Sequence, residues 1–258
     1  MRLFFFLTFA IAWSWWIPMA LRGDRTFPGV GWPTHLPGLM APGIAAFATV
    51  YIERGKAGVF ELASRCTKWR SSQRAYALVA VFLILAVLPV ITRVASMADL
   101  AKYSGAPATG VWVVLIVLFV NGYGEEVGWR GYLANRLLDE NSLISTATII
   151  WLIWGLWHFP LFFVVNSYRE FGIGGIIGWT VGLWFGSVFL VWLYKFSDRS
   201  IWVVVLWHVA YNFGVATDAA RGIYPAIVTV IVILTVVVVM RNARVSVDMP
   251  KIETRERG

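Results

Sequence analysis

The chain is short of charge and nearly without cysteine. Only 14% of its 258 residues are Asp, Glu, Lys or Arg, against about 25% in an ordinary soluble domain. So little charge cannot cover a water-facing surface. The single cysteine, Cys66, excludes an intrachain disulfide and reads as a small residue in a basic connection. There is no HExxH pair, no low-complexity stretch, no lipidation motif and no internal repeat of the kind that marks many transporters. No serine or cysteine stands beside the histidines inside their motifs, so an acyl-enzyme chemistry has little support.

What the chain has instead is apolar length. Hydrophobic residues make up 59% of it, mean hydropathy is +0.71, and apolar runs near 20 residues recur, each long enough to cross a bilayer. Fifteen tryptophans suit the membrane–water interface. The expectation is an all-α polytopic membrane protein, a bundle of about eight transmembrane helices. The spans fall at 3–21, 36–53, 75–95, 110–137, 145–165, 173–194, 201–218 and 223–240. They form one domain, 1–240, with its core motifs in 121–212. The first run is long for a signal peptide and lacks a clean small-x-small site, so it reads as a retained span. Residues 241–258 mix both charge signs and read as a disordered cytoplasmic tail.

The net charge of +8 belongs to the connections and sets orientation; it is not a nucleic-acid signal. With an even number of spans both termini share one face. Sixteen of the 22 Lys and Arg fall on that face, dominated by the 54–74 connection and the tail. The positive-inside rule makes it cytoplasmic. The expected location is the cell membrane, with the lipid bilayer as the constant partner.

Ionisable residues inside spans are functional candidates, and the list is short. Glu125, Glu126 and Arg130 lie in the fourth span, His158 in the fifth, His208 in the seventh, and the amide of Asn212 joins them. His35, near the end of the second span, reads as interfacial. Glu126 and Arg130 are four apart with the acid first, the favoured order for a helical pair. Glu125 points about 100° away. Trp154 precedes His158 by one turn, and Pro160 follows it, where a helix kinks or stops. His208 and Asn212 again share a face. Counted from the cytoplasmic ends, Glu125, His158 and His208 lie on the order of 10–20 Å deep, which suggests one polar chamber reached from the cytoplasm. A carboxylate can act as a general base toward water, and a His–Asn pair can donate to an oxyanion. Two histidines and a carboxylate are equally a possible metal set with an open position.

Three motifs carry a resemblance: Glu125-Glu126-Val127-Gly128-Trp129-Arg130, then Trp154-Gly155-Leu156-Trp157-His158, then His208-Val209-Ala210-Tyr211-Asn212. In this order they resemble the EExxxR, FxxxH and HxxxN motifs of the CPBP family of intramembrane proteases, also called the CAAX prenyl protease 2 or ABI family, which includes lysostaphin-resistance-like proteins. Trp154 stands where the family usually has Phe. The resemblance implies that Glu125 activates water together with His158, that Glu126 and Arg130 hold the helix, and that His208 and Asn212 stabilise the oxyanion. It leaves the cofactor open between none and a zinc held by Glu125, His158 and His208. The implied function is an intramembrane endopeptidase acting on a membrane-associated or hydrophobic peptide or protein. The alternatives are a non-proteolytic scaffold, immunity or regulatory protein of the same family, and a transporter built around the same chamber.

Overall fold

The computed structural model describes residues 1–247, with side chains through Arg241. The tail expected to be disordered is described only as far as Val247, where the last helix ends; residues 248–258 lie outside the described residues. Eight principal helices follow one another: α1 Arg2–Arg22, α2 Ala41–Cys66, α3 Gln73–Ile91, α4 Gly110–Glu140, α5 Leu143–Trp157, α6 Ile173–Phe196, α7 Ile201–Val215 and α8 Tyr224–Val247. Among the described residues there are no strands, only three isolated β-bridges. Six of the helices are long and apolar enough to cross a membrane; α5 and α7, at 15 residues each, are shorter. The protein is an all-α polytopic membrane protein.

Helix ends explain where the expected spans shift. Ser142 Oγ accepts the Ser145 amide at 3.1 Å and starts α5. Ser200 Oγ does the same for Val203 at 3.2 Å and starts α7. Such caps satisfy amides that the first helical turn leaves unpaired. The fifth span, expected to run to 165, ends at Trp157, with His158 as its C-cap. Pro160 lacks the amide that another α-helical turn needs, and the chain tightens into a 3₁₀ turn over Phe159–Phe163. The seventh span stops at Val215 instead of 218, and the third at Ile91 instead of 95.

The second span behaves differently. A helical turn, Leu36–Leu39, leads into α2. Gly55, at φ 60° and ψ −155°, then breaks the helical backbone in a region that side-chain-bearing residues avoid. Residues 56–66 therefore fold back. Leu62 is buried, Arg65 Nη1 reaches the Gly131 carbonyl at 3.1 Å, and Tyr123 Oη donates to the Cys66 carbonyl at 2.8 Å. This segment lies across α4 on the face that holds the termini.

The helix α4 is α-helical only in parts. Leu118–Tyr123 and Val127–Ala134 are π-helical, and Gly124–Glu126 is the α-helical piece between them. The wider turns of π-helix occur mostly as brief insertions at functional sites. Here they flank the two glutamates. The start of α2 crosses α4 at backbone contact: a Cβ on Gly128 would fall 2.4 Å from Pro42 Cβ and 2.6 Å from the Pro42 carbonyl oxygen. Around this crossing, α7 packs on α3, α1 on α2, and α6 on both α5 and α8.

Candidate active site

Three helices meet at the polar residues. On α4, Glu126 and Arg130 are both fully buried, and Arg130 Nη1 donates to Glu126 Oε1 at 2.9 Å. This is the pair expected from their spacing. The same Oε1 also lies 2.6 Å from Nδ1 of His208 on α7, so the pair is a triad. That link joins His208 to the glutamate rather than leaving it with Asn212 alone. Asn212, one turn on, is half-buried.

Glu125 faces another way, as its angular offset requires. It is 3% exposed, and its Oε2 accepts the Trp154 indole N–H at 2.7 Å. Trp154 on α5 is the hub of the site. Its ring lies under the Arg130 guanidinium, 4.7 Å from Cζ to centroid, a cation–π contact. Its carbonyl oxygen is 2.7 Å from His158 Nδ1. A phenylalanine could supply the ring and the carbonyl, but not the N–H to Glu125.

The partners fix the histidine tautomers. A carbonyl only accepts, so His158 carries its proton on Nδ1 and keeps a lone pair on Nε2. Glu126 likewise takes Nδ1–H of His208. Donation from His208 Nε2 then requires the imidazolium. With His208 protonated, Glu125, Glu126, Arg130 and His208 sum to zero charge, which suits a cluster removed from water.

Among the described residues no three His, Cys, Asp or Glu side chains are grouped closely enough to hold a metal ion. The set Glu125, His158 and His208 does not fit a resident metal in this arrangement.

One buried residue was expected elsewhere, and one was not expected at all. His35, expected at the interface, is buried, and its carbonyl accepts the Trp16 indole N–H at 2.8 Å. Tyr103 belongs to the α3–α4 connection, is 3% exposed, and bridges to Thr217. Burial, then the charge of Glu125 and the nearby Tyr168, holds its hydroxyl well above the ordinary tyrosine range, with Asn212 pulling the other way. Tyr103 is therefore a protonated donor beside the chamber. A tyrosine in a connection has no periodicity to betray it, and it is brought here by the bridge to the α7–α8 connection and by its ring's contact with Phe213 on α7.

An all-helical membrane bundle with buried acid, imidazole and amide groups converging from separate helices defines a class, the polytopic membrane proteins with an internal polar site. The particular relationship comes from comparison with known proteins. Residues 107–214 match the family model described as type II CAAX prenyl endopeptidase Rce1-like. The stretch contains all three motifs, and the resemblance they carry is borne out over it. The chain is also 27% identical over 233 residues, 82% of each protein, to a protein named CAAX prenyl protease 2 from Methanococcus maripaludis. These likenesses support a CAAX-type intramembrane protease, a hydrolase.

Proposed function

We propose that the protein is an intramembrane endopeptidase that hydrolyses a peptide bond of a membrane-associated or hydrophobic substrate with water activated by Glu125 and His158. The observation that carries this reading is the convergence of α4, α5 and α7 on one buried cluster, through Trp154–Glu125 and His208–Glu126. Glu125, with one oxygen held by Trp154, takes a proton from a water that also hydrogen-bonds the Nε2 lone pair of His158. The water oxygen attacks the carbonyl carbon, and the carbonyl π pair moves onto oxygen. The His208 imidazolium and the Asn212 amide donate to that oxyanion. When the carbonyl reforms, the C–N bond breaks and the leaving amine takes the proton back from Glu125. Arg130 and Glu126 hold His208 in place. A prenylated C-terminal peptide is the substrate suggested by the name of the archaeal relative.

The test compares protein termini in membranes carrying the intact protein or Glu125→Gln. New termini that vanish with Glu125→Gln, at equal protein abundance, support the reading; identical termini sink it. On this reading chelator treatment leaves cleavage intact, with elemental analysis of the purified protein as the check. Activity lost to the chelator and restored by zinc alone would return Glu125, His158 and His208 to a ligand set.

A further inference from the structure

We propose that Tyr103 is a positioning residue: its hydroxyl donates to the side-chain carbonyl of Asn212 and so turns the Asn212 amide N–H groups toward the chamber. The orientation itself asks nothing of the reaction. Its effect on hydrolysis rests on the protease reading, in which Asn212 donates to the oxyanion.

Tyr103 lies in the connection between α3 and α4, on the far face of the molecule, opposite the chain termini. Its backbone is held from two sides. On one, the Ser104 amide donates to the Ala216 carbonyl and the Asp218 amide to the Lys102 carbonyl, each at 3.0 Å, flanking the Tyr103–Thr217 bridge. On the other, the Gly29 amide donates to the Tyr103 carbonyl at 3.0 Å. The end of α7 is equally fixed. The Ala216 amide donates to the Asn212 backbone carbonyl at 2.8 Å, and Thr217 Oγ1 to the Phe213 carbonyl at 2.9 Å. The Tyr103 ring, buried, packs on Phe213 with centroids 5.7 Å apart. Its hydroxyl thereby meets the Asn212 side chain, with Glu125 nearby.

A side-chain amide has an accepting end and a donating end, and its partners decide which way it turns. Burial keeps the Tyr103 hydroxyl protonated, so it has a proton to give. The Glu125 carboxylate and the Nε2 lone pair of His158 are acceptors, and a carbonyl oxygen turned toward them would meet like partial charge. The amide oxygen therefore belongs against Tyr103, with the N–H groups toward the chamber. Only in that orientation can Asn212 donate to an oxyanion. The bond that fixes His208, from Nδ1 to Glu126 at 2.6 Å, does nothing for the amide. Tyr103 supplies that missing support, and a group that touches no reacting atom can still hold a site to its working geometry.

Tyr103→Phe tests this, because it keeps a ring against Phe213 and removes the hydroxyl. The asparagine side-chain nitrogens are isotope-labelled in the full chain and read by NMR in detergent, with Asn212→Ala identifying the Asn212 signals. Those signals should move in Tyr103→Phe while the other asparagine side chains stay. Unmoved signals overturn the proposal, whether or not the protein cleaves anything. On a substrate found by the Glu125→Gln comparison, Tyr103→Phe should lower kcat about three- to tenfold, the worth of one neutral hydrogen bond, with KM, abundance and thermal midpoint unchanged. Added to Asn212→Ala, it should cost nothing more, since a residue that acts through another falls silent once that other is gone. An unchanged kcat, or losses that multiply in the double variant, overturns the positioning role. Where the protease reading is what fails, Glu125→Gln changes no termini while the Asn212 signals still move.

Discussion

At the scale of residues, one tryptophan does work that its motif position does not announce. Trp154 gives an N–H to Glu125, a ring to Arg130 and a carbonyl to His158. Trp154→Phe keeps an aromatic ring and the backbone, and deletes the N–H together with the pyrrole part of the indole. A hydrogen bond to a charged group contributes about 1.5–3 kcal/mol, so we expect kcat to fall by about tenfold or more with KM and abundance unchanged. Steady-state kinetics on the identified substrate checks this, and an unchanged kcat removes Trp154 from the positioning role. The Arg130–Glu126 pair is a different case, because both groups are fully buried. Removing one partner leaves an uncompensated charge, typically at a cost of about 3–5 kcal/mol. Arg130→Ala should therefore lower the amount of folded protein in detergent, measured by size-exclusion chromatography. Arg130→Met with Glu126→Gln should recover folded protein but not cleavage, since His208 then has no carboxylate.

At the scale of elements, the sequence made the helices legible but not their interruptions. Eight apolar runs gave eight helices, because apolar length is a composition signal that survives small boundary errors. The 36–53 span ended close to Gly55, where the helical backbone breaks, yet nothing in the sequence indicated that 56–66 returns across α4. The π-helical turns around Gly124–Glu126 were equally hidden. They lie where α2 presses against α4, a crossing that is a tertiary fact. Glu126 with Arg130 was readable because four-residue spacing is local; Glu126 with His208, 82 positions apart, was not. The crossing gives its own prediction. Gly128→Ala forces a methyl against Pro42 backbone, and overpacking of this kind costs about 1–3 kcal/mol. A lower midpoint of thermal unfolding, with Gly55→Ala as an independent comparison at the bend, is the expected outcome.

At the scale of the whole molecule, the far-face connections hold one another by a few polar ties, and one of them titrates. The Ser96 amide and hydroxyl, and behind them Arg221 and Lys102, keep the Asp99 carboxyl below its ordinary range. A depressed acid adds stability that is present above its unfolded pKa and is lost as pH falls through the folded value. Relative to their intrinsic exchange rates at each pH, amides of residues 96–104 should be less protected below the ordinary carboxylate range than at neutral pH, and in Asp99→Asn they should be weakly protected at both. The brevity of α5 and α7 has a further consequence, for the lipid rather than the protein. Fifteen residues rise about 22 Å, against a hydrocarbon core of about 30 Å. The two helices that carry the histidines are thus mismatched to an average bilayer. A bilayer meets a short element by thinning around it, at a cost that grows with each ångström. Reconstituted in vesicles of increasing acyl-chain length, the protein should work best in the thinner membranes. Membrane thickness would then select where in a cell such a protein is active.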